Sequence, residues 1–246
     1  MSLRKKGYTL VEILIAFAIV GIIAAITIPF LVKNVEKLQA GARLGKAVRQ
    51  IELGARNIIE EANANISSSG SSVTVLNTIT IDDLLGNDND TIITQYSAWD
   101  ILTPYYNFEP VNIDDMDLNI DYYNGENYYN NEEIRWYCRI YSIKGMPDLV
   151  IYVKIYFVEQ NGDEEVVYAD FYIDTNGFKP PNRVGRDIFF FFMSNKGKLY
   201  PYGLQSPLLQ NFDTDHYTVA CTDNNITDGK ACAARVVKDG FKINYY

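Results

Sequence analysis

One carboxylate stands at the edge of a long apolar run. It is Glu12, in YTLVEILIAFAIVGIIAAITIPFLV (residues 8–32), with nothing charged from Ile13 to Val32. A charge so placed costs roughly 3 kcal/mol unless it is paired or stays hydrated. Either Glu12 sits wet among lipid headgroups, or it awaits a cation from a neighbour. Other residues also invite chemistry. Cys221 and Cys232 bracket a polar, turn-rich loop, a pattern that suits one disulfide in an oxidising compartment and leaves Cys138 over. Zinc is the competing use, but the chain has one histidine, His216, and no CxxC pair. Asp174, Asn176 and Asp187 are oxygen donors on one loop and suit either calcium or turn-building. Their spacing is not that of an EF-hand, because the twelfth position counted from Asp174 is Gly185 instead of glutamate. His216 has Asp213 and Asp215 beside it, but the chain contains no GxSxG, Walker loop, HExxH or dinucleotide fingerprint. No catalytic residues are expected, and the chain is read as a non-enzyme.

The element that carries Glu12 must be a helix. The uncharged run has the length needed to cross a bilayer at 1.5 Å per residue. Arg4, Lys5 and Lys6 precede it and hold that end in the cytoplasm, so the bulk of the chain goes outward. A secretory signal also begins this way, but its cleavage site lies after the apolar run, at small residues. Here the run flows on into a helical pattern and Gly7 precedes it, which favours cleavage before the helix or none. If cleavage follows Gly7, a free α-amine on Tyr8 of one helix can pair with Glu12 of the next, and packed helices bury and neutralise the charge together.

The stretch Lys6-Gly7-Tyr8-Thr9-Leu10-Val11-Glu12 resembles the prepilin cleavage signature of type IV pilins and type II secretion pseudopilins. Those families have a short basic leader, a glycine, an aromatic residue and a glutamate at the fifth mature position. Gly7, Tyr8 and Glu12 match in turn, with tyrosine where phenylalanine is usual. Pro29 stands where these families commonly carry a helix-bending proline. The match covers about the first 30 residues closely. It implies that a prepilin peptidase cleaves after Gly7, that the Tyr8 amine is methylated, and that Glu12 guides docking into a growing filament. Pro29 lacks a backbone N–H and loosens the helix there, which neighbouring helices tolerate. The Cys221–Cys232 pair is similar to the C-terminal disulfide loop of type IV pilins.

After Val32 the helix should continue. Val35, Leu38, Ala42, Val48, Ile51, Ala55, Ile58 and Ala62 recur at three- or four-residue steps between polar positions, one apolar stripe destined for a globular domain. Gly41, Gly45 and Gly54 permit close packing. From about Tyr8 to Glu61 such a helix would span roughly 80 Å. Residues 66–72 are serine-rich and read as a loop, bare or glycosylated. Asp114–Glu133 is acidic and tyrosine-rich and reads as a surface loop; Asp114, Asp115 and Asp117 are either solvated or a cation site. Ile134, Trp136, Cys138 and Ile140 alternate with polar or aromatic residues, giving a strand with Cys138 as a buried thiol. Leu149–Val158 and Val166–Ile173 are joined near Asn161-Gly162, a hairpin signal, and Asn195-Lys196-Gly197 turns Asp187–Ser194 into Lys198–Tyr200. The Asp174–Asp187 stretch also resembles one seen before the last hairpin of many pilin-like proteins.

The expected fold is therefore α+β: a long N-terminal helix, membrane-spanning in its first half, packed on an antiparallel sheet of four or five strands. Its parts are a leader (1–7), a membrane and filament-core half-helix (8–32), an amphipathic half-helix (33–64) and a head (65–246). A formal charge of −9, more acidic still once the leader is gone, opposes bulk nucleic-acid binding. The expected partners are other copies of the chain, a prepilin peptidase, an inner-membrane assembly platform and the membrane itself. The resemblance puts the precursor in the inner membrane with its head outside the cytoplasm, and the assembled filament in the periplasm or outside the cell. Its function is a type IV pilus subunit; a type II secretion pseudopilin or minor tip pilin is the related alternative, and a membrane-anchored adhesin or binding module the alternative from another class. No cofactor is expected beyond calcium on the 174–187 loop.

Overall fold

The computed structural model describes residues 9–69, 105–113, 118–130, 132–134, 138–160, 164–193, 197–203, 221 and 228–246. The chain divides into two compact units, Met1–Gln39 and Ala40–Tyr246. Helix α1 spans Leu10–Ser69 and so enters both. It runs past Ile66, where a serine-rich loop was expected. Once a helix exists, each added residue gains a hydrogen bond, and serine resists that only weakly. Gly70 is next in the sequence.

In the second unit Leu44, Ala47, Val48, Ile51, Ala55 and Ile58 of α1 are buried at three- and four-residue steps. Ala42, Val35 and Leu38, expected on that stripe, are exposed. The buried face lies one step round the helix, at Gly41, Leu44 and Gly45, because the C-terminal segment covers it there: a Cβ at Gly41 would collide with the Phe241 carbonyl, and one at Gly45 would lie 3.1 Å from the Phe241 ring.

Among the described residues the sheet has six strands, β1 (Phe108–Pro110), β4 (Arg139–Ile143), β5 (Met146–Gln160), β6 (Glu164–Asp174), β7 (Ile188–Met193) and β8 (Leu199–Pro201), in the order β1-β4-β5-β6-β7-β8. Every pairing is antiparallel. β5 and β6 pair from Val150↔Asp174 to Gln160↔Glu164, which makes them the long hairpin expected around Asn161-Gly162. The unexpected strand is β1, three residues ending in proline. Proline on an edge strand removes a donor from the ladder and leaves no pattern to read. The strand expected from Ile134 begins only at Arg139. Ile134 lies in a helical turn at 132–134, started by reciprocal bonds: Asn130 N donates to Glu133 Oε2 (2.9 Å) and Glu133 N to Asn130 Oδ1 (3.0 Å).

Both faces of the sheet are covered. Ile151, Val153, Phe171, Ile173, Phe189 and Phe191 belong to one core cluster with α1. Their neighbours Val150, Tyr152, Tyr172, Phe190 and Phe192 belong to the other. Hence all six residues of β7 are buried, the mark of a strand with no wet face. The second face is closed by part of the segment read as a surface loop. It forms a small hairpin of β2 (Ile120–Asp121) and β3 (Asn127–Tyr129), with Leu118, Ile120 and Ile134 buried. Its tyrosines make it look solvated, yet Tyr128 lies 5.3 Å from the Phe190 ring, and Lys230 stands over Tyr122 and Tyr128 at 5.6 and 5.2 Å. A short helix, α2 (Cys232–Lys238), buries Cys232, Ala233 and Val236 against the α1-side core. Cys221 and Cys232 are joined by a disulfide with Cα atoms 4.9 Å apart.

Gly54 shows which effect wins where α1 meets the core. Alanine raises helix propensity by about 1 kcal/mol. A Cβ at this position would strike the Tyr106 ring and come within 2.8 Å of the Tyr105 carbonyl oxygen. Overpacking against backbone costs about 1–3 kcal/mol, so Gly54→Ala should lower the melting temperature of the second unit despite the better helix former. An unchanged or raised melting temperature would show that the contact yields.

Candidate functional site

In the first unit, every large apolar side chain from Leu10 to Leu38 is exposed. So large an apolar surface, free of charge from Ile13 to Val32, marks a membrane or protein contact. The helix is long and apolar enough to cross a membrane. Its start is built by Thr9 and Glu12. Thr9 N donates to Glu12 Oε2 at 2.8 Å, Thr9 Oγ1 donates to the same oxygen at 2.9 Å, and Glu12 N donates to Thr9 Oγ1 at 3.3 Å. This is a capping box, in which two of the four orphan amides of a helix start find acceptors. The carboxylate is thus hydrogen-bonded within its own chain, but no cation neutralises it among the described residues. The sequence signal for Thr9 is a threonine three residues before a glutamate that opens an apolar run. Pro29 lies inside α1. Two residues before it, Thr27 Oγ1 donates back to the Ile23 carbonyl at 2.9 Å. Gly7, Tyr8 and the leader cations lie outside the described residues, as do Asp114, Asp115, Asp117, Asp213, Asp215 and His216.

The second group lies on the β6–β7 connection, and the structure brings Asp174, Asn176 and Asp187 together. Asn176 bridges the two acids: its N donates to Asp174 Oδ1 at 3.0 Å and its Nδ2 to Asp187 Oδ2 at 3.1 Å. Asp187 further accepts from Asn182 N (2.9 Å) and Arg183 N (2.6 Å). Its carbonyl takes both the amide and the hydroxyl of Thr175, at 2.9 and 3.0 Å. Asn182, Gly177 and Gly185 turn the chain at φ of 48°, 72° and 79°, where glycine and asparagine are favoured. Other elements converge here. Arg43 of α1 donates to the Thr175 carbonyl at 3.0 Å. Tyr245 donates to the Gly185 carbonyl, and Tyr246 to the Arg186 carbonyl at 2.9 Å. Asp174 is fully buried. Burial, and then the charge of Asp187, push its carboxyl well above the usual carboxylate range. Burial also raises Asp187, against the amides that donate to it.

Cys138 is buried and free. Burial is the main reason its thiol is pushed up to about 12, which leaves almost no thiolate at neutral pH and makes it an inert packing residue. Among the described residues, no group of three or more histidine, cysteine or acidic side chains is placed to hold a metal.

Residues 2–28 match the model of the prokaryotic N-terminal methylation motif, the hallmark of the prepilin-type signal of type IV pilins and pseudopilins. No curated protein and no solved structure matches the chain. The motif supports a pilin-like or pseudopilin protein of a structural kind. It implies processing by a prepilin peptidase and assembly with further copies. Together with one exposed apolar helix of membrane length, it fits a membrane-anchored precursor.

Proposed function

We propose that this chain is a structural subunit of a type IV pilus. It is made as a single-pass precursor with its head outside the cytoplasm, cut after Gly7, methylated on Tyr8 and polymerised through α1. The observation that carries this reading is the exposed apolar helix headed by Glu12 within the methylation motif. The hydrophobic effect favours burial of that surface in lipid, and van der Waals packing together with polar pairing favours its later transfer among sister helices. The capping bonds keep Glu12 hydrogen-bonded until the α-amine of a neighbouring Tyr8 arrives, and pairing then offsets the cost of burying both charges. No step in this role requires catalysis.

The size of the head favours a pilus subunit over a small major pseudopilin. The experiment is fractionation of cells with and without their prepilin peptidase. In its presence the chain should appear in sheared filaments as well as in the membrane. Without the peptidase it should stay in the membrane at its full precursor length. Filaments that form equally well without the peptidase contradict the reading, and so does a chain that never leaves the membrane in wild-type cells, as expected of an anchored binding module.

A further inference from the structure

We propose that the β6–β7 loop is a calcium site, with Asp174 Oδ2, Asn176 Oδ1 and Asn182 Oδ1 as ligands and the Asp187 carboxylate supplying the second negative charge. The four buried side-chain polar atoms that lack a hydrogen-bond partner among the described residues all fall in this one stretch. They are these three oxygens and Arg183 Nε. Buried polar groups are nearly always satisfied, so a cluster of orphans marks a missing partner.

The chemistry of that partner follows from the orphans. Three are acceptors. A water has two protons, so it serves two of them and neutralises no charge. The Asn176 amide cannot help by flipping, because its Nδ2 is already committed to Asp187 Oδ2 at 3.1 Å. Among the described residues neither carboxylate makes an ion pair. The nearby Arg183 guanidinium is turned towards the β2–β3 hairpin, where its Nη2 would lie 3.1 Å from a Cβ built on Gly125. Two buried carboxylates and two amide oxygens, without nitrogen or sulfur, form a hard-cation donor set. An irregular donor set of carboxylate and amide oxygens suits calcium's variable coordination better than the strict octahedron of magnesium. Because Arg43, Tyr245 and Tyr246 also anchor on this loop, a bound ion would tighten the junction between helix, sheet and C-terminus. The inference stands on the head alone and is independent of what the N-terminal helix does.

The test uses the full chain in detergent micelles. Its melting temperature is compared in EGTA and in calcium at about 1 mM, the upper range of extracellular sites. Terbium alone is the luminescent probe, excited through tyrosine; Tyr152 is close enough to feel the charges of Asp174 and Asp187. Calcium should raise the melting temperature by several degrees and displace terbium, with magnesium at least tenfold less effective. Asp174→Asn, which keeps the shape of the side chain, should weaken terbium binding at least tenfold. The same melting temperature in EGTA and calcium, or no sensitised luminescence, overturns the site even if the variant does not fold. Terbium binding unchanged in Asp174→Asn, or equal displacement by magnesium, overturns it as well.

Discussion

Glu12→Leu should leave the chain in the membrane and cleaved, yet reduce its incorporation into filaments beside normal subunits by tenfold or more. The apolar run becomes more apolar, so insertion has no reason to fail. The capping box loses its acid, but leucine at the third helical position is a good helix former and Thr9 still caps that amide. On the proposed reading, what disappears is the partner for a neighbour's α-amine. Leaving one member of a buried pair uncompensated costs about 3–5 kcal/mol. A tenfold effect requires only about 1.4 kcal/mol, so the expected loss exceeds it even if most of the pair stays hydrated. Glu12→Asp keeps the charge but shortens its reach, and should fall in between. Quantitative immunoblots of sheared filaments against membranes give the ratio. Incorporation of Glu12→Leu at the wild-type level removes the pairing argument.

The second large effect belongs to the head. Asp187→Ala should lower its melting temperature by about 10 °C in EGTA, where no divalent cation contributes. The carboxylate accepts from Asn182 N, Arg183 N and Asn176 Nδ2. Removing it leaves buried donors without an acceptor, at about 1–3 kcal/mol each before relaxation. Relief of repulsion with Asp174 works in the opposite direction, but the donors outnumber it. Asp187→Asn keeps one acceptor oxygen and should lose less than Asp187→Ala. Near-UV circular dichroism of the tyrosine-rich core reads the transition, and a change under a few degrees contradicts the central place given to this side chain.

How far the residues alone reveal this molecule depends on what each pattern is made of. The N-terminal helix was plain, because twenty uncharged residues admit few other structures, and β5 and β6 were plain because β-branched and aromatic residues flank a turn dipeptide. Other elements were hidden for physical reasons. β1 is three residues closed by Pro110, too short for any period. Leu118, Ile120 and Ile134 are single apolar residues in acidic, tyrosine-rich surroundings, and only the far face of the sheet explains their burial. α2 is one short helix fixed by the core and the Cys221–Cys232 bond, with no side-chain cap to announce it. Asp174, Asn176 and Asp187 were legible as oxygen donors on one loop, and the hydrogen bonds through Asn176 show that they meet. Asn182 was not, since its role depends on a left-handed turn that the sequence only permits. Thr9 is legible as the first residue of a Thr-x-x-Glu capping pattern with Glu12.

The most direct measurement is the mass of the N-terminal peptide of the chain taken from sheared filaments. The account predicts a peptide that begins at Tyr8 and is one methyl group heavier than its unmodified sequence. A peptide that begins at Met1 or Ser2, or anywhere beyond Val32, contradicts it.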